Sequence, residues 1–220
     1  MIDVSKKKRI VLKLGTSTLT HKTGKLNIRR MTNLVRILSD LHNEGRELLL
    51  VSSGAVGMGV GKLNLSERPK DTPSKQAAAA VGQCELMHIY DDMFAKYNVT
   101  VAQILLTRAT LTNERLPHVQ NTIGRLLEMG VIPIVNENDT VAIDELELEI
   151  GENDSLSATV AAAVGADLLV ILSDINGLYS ADPRTNADAQ VIREVHKIDE
   201  HIEQLSLIHI SEPTRPISIS

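Results

Sequence analysis

The sequence predicts an α/β protein, a three-layer α/β/α sandwich around a mainly parallel central sheet. Three observations carry that reading. Apolar runs without alternation recur: Arg9-Ile10-Val11-Leu12-Lys13-Leu14, Leu48-Leu49-Leu50-Val51 and Val131-Ile132-Pro133-Ile134-Val135. Strands buried on both faces read this way. Helical patterns lie between the runs, as in crossover units. Each run ends in small and polar residues: Gly15-Thr16-Ser17, Ser52-Ser53-Gly54-Ala55 and Asn136-Glu137-Asn138-Asp139. In open parallel sheets, ligands bind beyond the carboxyl ends of the strands.

The elements follow in order. A strand spans about 9–14. A helix runs from about 28 to 44, with Asn27 as its cap and Gly45 as its stop. Its apolar stripe is Ile28, Met31, Leu34, Val35, Leu38 and Leu41. The second strand is about 46–51, and the loop SSGAVGMGVG continues into helix. Residues 62–73, with Pro69 and Pro73, form a polar connection. A long helix covers about 74–96, alanine-rich near 77–81, where small residues permit close packing on a neighbouring helix or subunit. The third strand is about 99–106, and a helix near 112–129 ends at Gly130. The fourth strand is 131–135. Leu146-Glu147-Leu148-Glu149-Ile150 alternates and predicts a half-exposed strand or hairpin over 141–150. Asn153 or Asp154 starts a helix to about 164, closed by Gly165. A fifth strand spans 167–172, followed by a turn-rich segment, a short strand near 190–195 and a helix from about 199. Right-handed crossovers are expected.

Composition narrows the function. Of 220 residues, 43% are hydrophobic and 2% aromatic, so the core must be built from Leu, Ile, Val and Ala. The net charge is 23 − 28 = −5, which argues against a general nucleic-acid surface. Lys6-Lys7-Lys8-Arg9 is too short a cluster to change that. No run reaches the ~18 apolar residues of a membrane span, and the start lacks a secretory core. The single Cys84 cannot form an internal disulfide, which fits a reducing, cytoplasmic setting. It lies in a helical pattern with no base beside it in sequence. No His/Cys cluster suggests zinc, and no protein-held metal is predicted.

The motifs exclude familiar phosphate sites. G-x-x-x-x-G-K-[ST] is absent, because Gly61-Lys62 is followed by Leu63 and Val56 stands where the first glycine belongs. G-x-G-x-x-G fails too: Gly57, Gly59 and Gly61 are spaced by two, and Lys62 takes the final place. The protein-kinase set is also missing. A different cradle remains. Gly15 and Gly54 let backbone N–H groups approach an anion. Lys13, inside an apolar strand, is costly to bury unless an anion meets it; snorkelling from an edge strand is the alternative. Asp139 and the pair Asn153-Asp154 can each be simple caps. Together they offer an anion for an ammonium group and amide donors for a carboxylate, as a zwitterionic ligand requires.

At this point a family is visible. VLKLGTSTLT, VSSGAVGMG, SKQAAAAVGQ, LLTR, VIPIVNENDTVA, GENDSLSA and SDINGLYSADPR occur in the order seen in the amino acid kinase family. The chain resembles that family over about 9–205, which implies its carbamate kinase-like fold. SDINGLYSADPR marks the wider family. KLGTS with NEND and GEND-x-LSA resembles its glutamate-phosphorylating branch.

The resemblance implies ATP-dependent phosphorylation of the γ-carboxylate of L-glutamate to glutamyl 5-phosphate, the first step of proline biosynthesis. Carried over by motif, Lys13 touches the transferring phosphoryl group and Asp154 orients it. Ser53 with Gly54, Asp139 and Asn153 bind glutamate. Gly15, Ser173 and Asp174, with the loop through Arg184, hold the nucleotide. ATP and Mg²⁺ are implied. Proline is implied as a feedback inhibitor, a homo-oligomer as the assembly, and glutamyl phosphate reductase as a possible downstream partner. No nucleic acid or membrane is expected. A γ-carboxylate, with a reference pKa of about 4.3, is already ionised at neutral pH and needs no general base. His21, His88 and His118 are therefore expected at the surface or in packing roles.

One departure stands out. The family carries a glycine-rich segment with a second lysine where this chain reads SLIHISEPT, and nothing here matches it. The reading therefore takes 1–205 as a kinase domain lacking part of its nucleotide site, and 206–220 as a non-native tail. It expects poor ATP binding and little turnover. The alternatives are an acetylglutamate or aspartate kinase of the same fold, a non-catalytic amino-acid-binding fragment, and the kinase half of a fused enzyme. Asp139 separates the first from a glutamate enzyme, since an acetylated amine needs no anionic partner.

Overall fold

Ile10 sits between Leu48 on one side and Leu168 on the other, and all three strands run parallel. The computed structural model describes residues 6–21, 25–112, 114–141, 154–173, 177–183, 185–200 and 202. Its strands are β1 (Arg9–Leu14), β2 (Glu47–Ser52), β3 (Thr100–Leu106), β4 (Val131–Glu137) and β5 (Leu168–Leu172). They form one sheet in the order β3-β4-β2-β1-β5, and every described pairing is parallel. The helices are α1 (Thr16–Leu19), α2 (Ile28–Asn43), α3 (Ala55–Lys62), α4 (Thr72–Ala95), α5 (Leu116–Glu128) and α6 (Asp154–Ala163).

Strand alternation assigns the two faces. Ile10, Leu12, Leu14, Leu48, Leu50, Ile132 and Ile134 share one cluster with Met31, Val35 and Leu38 of α2 and Leu86, Tyr90 and Phe94 of α4. Val11, Leu49, Val51 and Val135 point the other way, onto Ile123 and Leu127 of α5 and Val160 of α6. The predicted three layers are therefore present. Each buried Leu, Val or Ile contributes about 1.5–3 kcal/mol over leaving it exposed.

Most boundaries match the sequence reading. The Asn27 side chain accepts from Arg30 N–H and caps α2, and that of Asp71 accepts from Ser74 N–H and caps α4. Gly45, Gly130 and Gly165 follow α2, α5 and α6 at positive φ. Ile28, placed on the α2 stripe, is mostly exposed; the other five stripe residues are buried or half-buried.

Three expectations need correction. The helix expected near 112 begins at Leu116, after a 3-10 turn at Arg108–Leu111. Thr107 and Thr110 close that turn reciprocally, and Pro117 belongs in a first helical turn. β4 is two residues longer than expected, because Asn136 and Glu137 still pair with Leu105 and Leu106 of β3. Pro133, which has no N–H to give, precedes the short ladder to β2 (Leu50↔Ile134, Val51↔Val135). The strand expected near 190–195 is only an isolated bridge between Tyr179 and Val191. A helix does begin near 199: the Asp199 carboxylate accepts from Ile202 N–H. The strand or hairpin expected over 141–150 lies, from residue 142 on, outside the described residues, and so does the tail 206–220.

The alanine-rich stretch packs inside the molecule. Ala78 and Ala79 are buried against Val56 of α3, while Ala77 and Ala80 are exposed. A Cβ on Gly59 would overlap the Ala78 carbonyl, and one on Gly82 would overlap the Ala55 carbonyl. Backbone therefore meets backbone where α3 crosses α4.

Candidate functional site

The carboxyl ends of β1, β2, β4 and β5 lie along one edge of the sheet, and of the predicted site residues the described ones, Lys13, Gly15, Ser53, Gly54, Asp139, Asp154 and Ser173, lie at the strand ends or on the elements beside them. Lys13 is 2% exposed. It pairs in register with Val51 and Ile171, so it belongs to an interior strand and does not snorkel from an edge. Its side chain shares a face with Val11, the face covered by α6. Asp154 opens α6, and its Oδ1 lies 2.8 Å from Lys13 Nζ. The contact is an ion pair of a buried ammonium with a carboxylate. An acidic group in a first helical turn also suits the helix dipole.

The loops after β1 and β2 meet. Ser53 N–H donates to Leu14 O at 3.0 Å. Gly54 has φ +109°, a left-handed conformation that favours glycine, and turns the chain into α3. A Cβ there would stand 3.6 Å from Thr16 Oγ1. Gly15, by contrast, has φ −73° and precedes α1 without special strain. Thr18 Oγ1 donates to Leu172 O at 3.3 Å, which ties the β1 loop to the end of β5, next to Ser173. Asp139 is half-buried in the turn after β4. Asn138 N–H, at the start of that turn, donates to Leu106 O at 2.8 Å. Asn153, Asp174 and Arg184 lie outside the described residues.

The opposite face holds residues that sequence reasoning missed. Ser52 and Asn136, the next residues after the Val51↔Val135 pair, alternate toward α4. Tyr90 Oη is 2.8 Å from Ser52 Oγ, and Asn136 Nδ2 donates to Gln83 Oε1 at 2.8 Å. One helix thus grips two strand ends. Gln83 and Tyr90 stand seven residues apart on α4, two helical turns, and that spacing was the only available signal. Burial pushes the Tyr90 phenol well above its ordinary pKa, and the Ser52 hydrogen bond acts in the opposite direction.

Such an edge can neutralise and orient an anion: one buried ammonium, a carboxylate holding it, and N–H groups at strand ends. His21, His88 and His118 are exposed, and so is Cys84. Among the described residues no three His, Cys, Asp or Glu side chains are grouped to hold a metal. Among them, too, no helix is long and apolar enough to cross a membrane.

Comparison with known proteins agrees with this architecture. A model of the amino acid kinase family matches residues 8–209. The glutamate 5-kinase of Clostridium perfringens is 55% identical over 200 residues, covering 90% of this chain and 74% of that protein. The chain belongs to the amino acid kinase family, among its glutamate 5-kinases. The glutamate 5-kinase of Moorella thermoacetica is 53% identical over 206 residues; this chain spans 54% of its length. UMP kinase from Ureaplasma parvum superposes with a TM-score of 0.58 over 94% of this chain and 92% of its own. At 15% identity it shares the amino acid kinase fold alone.

Proposed function

We propose that this chain phosphorylates the γ-carboxylate of L-glutamate with ATP, giving L-glutamyl 5-phosphate for proline biosynthesis. The observation that carries the reading is the buried Lys13–Asp154 pair at the carboxyl edge of the sheet in a chain so close to the glutamate 5-kinases. A γ-carboxylate oxygen attacks the terminal phosphorus of ATP. One C(O)–O–P bond forms, the bond to ADP breaks, and no proton moves. The obstacle is repulsion between carboxylate and polyphosphate. The Lys13 ammonium counters it and stabilises charge on the transferring oxygens, while Asp154 keeps that ammonium in place. Ser53 and Gly54, with Asp139 and Asn153, hold glutamate; Asp139 takes the α-ammonium group. Gly15, Ser173 and Asp174 hold the nucleotide. Magnesium would arrive with ATP, since no three acidic, imidazole or thiol side chains are grouped to hold it among the described residues; it would supply charge neutralisation on the nucleotide's phosphates. The same reading carries proline as feedback inhibitor, a homo-oligomer and a cytoplasmic setting.

Calorimetric titration with L-glutamate, N-acetylglutamate and L-aspartate tests the substrate, and ADP release with each tests the reaction. Glutamate is expected to bind and to be the preferred acceptor. Preference for either analogue overturns the assignment. Asp139→Ala should weaken glutamate binding strongly; a change within about twofold, ~0.4 kcal/mol, would count against the ammonium assignment.

A further inference from the structure

The orientation of one buried amide can be derived. Glu137 N–H can only donate, and it donates to Asn136 Oδ1 at 2.9 Å. Asn136 must then present its Nδ2 to Gln83, 2.8 Å away. Gln83 therefore spends its Oε1 on Asn136. Its Nε2 is left buried without a hydrogen-bond partner among the described residues, on a side chain only 7% exposed. An enclosed donor left in this way is costly and needs a functional or structural account.

From this geometry we propose that Gln83 Nε2 is a substrate-binding donor that takes the α-carboxylate of glutamate. The inference rests on the reading above. If Asp139 holds the α-ammonium group and Lys13 faces the γ-carboxylate, the α-carboxylate lies at the Asp139 end of the ligand. Asn136 precedes Asp139 by three residues at the end of β4, and Gln83 reaches that end of the strand through its hydrogen bond to Asn136. Asn136 acts as a lock: by occupying Oε1, it turns the amide so that a donor remains for a carboxylate. The pair therefore selects ligands that carry an oxygen acceptor there.

Two variants test it, with glutamate affinity read by calorimetry and folding read by melting temperature. Gln83→Met removes both polar atoms at similar volume; because it also takes the acceptor from Asn136 Nδ2, its melting temperature is expected to fall modestly, and affinity is read on the folded protein. Its glutamate affinity should fall at least tenfold, with ATP affinity unchanged. Gln83→Glu keeps an oxygen for Asn136 and replaces the donor with an acceptor. It should lose at least as much glutamate affinity as Gln83→Met. A Gln83→Met protein within twofold of the parent overturns the proposal. So does a Gln83→Glu protein that keeps parental affinity, because Gln83 would then serve only to hold Asn136. If the parent itself binds no glutamate, the functional reading falls and this inference with it.

Discussion

Ser52 Oγ and Tyr90 Oη lie 2.8 Å apart, both wholly buried, between the end of β2 and the C-terminal third of α4. The bond anchors the residue just before Ser53-Gly54. Tyr90→Phe should lower stability by about 0.5–1.5 kcal/mol, the usual net value of one such bond. A denaturant melt checks this, and glutamate binding should weaken with it because the following loop loses its tether. Unchanged glutamate affinity would show that Ser53 needs no support from α4.

Lys13 and Asp154 should respond unequally to mutation. Asp154→Ala removes the carboxylate beside a buried ammonium, a change that costs up to about 3–5 kcal/mol for enclosed pairs. Lys13→Met removes the charge itself and leaves a carboxylate nearer to water, so its cost in melting temperature should be smaller. Both should abolish phosphoryl transfer. Equal melting temperatures for the two variants would contradict the burial asymmetry of 3% against 16% side-chain exposure.

Two glycine substitutions should have opposite signs. Gly82→Ala drives a methyl into the Ala55 carbonyl and must separate α3 from α4, with a loss of about 1–3 kcal/mol or more. Gly124→Ala meets nothing within 4 Å inside α5. It should stabilise by about 0.5–1 kcal/mol through helix propensity. Thermal unfolding of the pair reads both signs at once.

Acid should weaken the far end of the sheet. Asp167 Oδ2 accepts from Arg9 N–H and Lys8 N–H, both at 2.9 Å, and these bonds hold its carboxyl below the usual aspartate range. A depressed folded pKa means stability present above the unfolded value and lost as pH falls through the folded one. Asp167→Asn should therefore melt lower than the parent at neutral pH, and the two curves should converge in strong acid. A constant gap at every pH would assign the effect to something other than ionisation.

Much of this was legible in the sequence for physical reasons. Val11, Leu12 and Leu14 announce a strand buried on both faces, and Lys13 stands out because a charge there needs a partner. Asp154 was visible as a helix start, and the structure brings it onto Lys13 from more than a hundred residues away. The grip of α4 was not legible. Gln83 and Tyr90 look like ordinary members of a packed helix, and only tertiary register sets them against Asn136 and Ser52. The extra length of β4 was hidden for a related reason: Asn136 and Glu137 have loop-like chemistry, but pairing with β3 keeps them extended.

The crossing of Gly59 with Gly82 has a mechanical meaning. Where side chains separate two helices, small rotamer changes let one slide over the other. Here peptide planes touch directly, and there is nothing to slide. A push felt at Ser53 as a ligand arrives would be delivered undamped into all 24 residues of α4, and through Gln83 and Tyr90 back to the neighbouring strand tips. The hairpin works as a stiff lever whose fulcrum is two missing methyl groups.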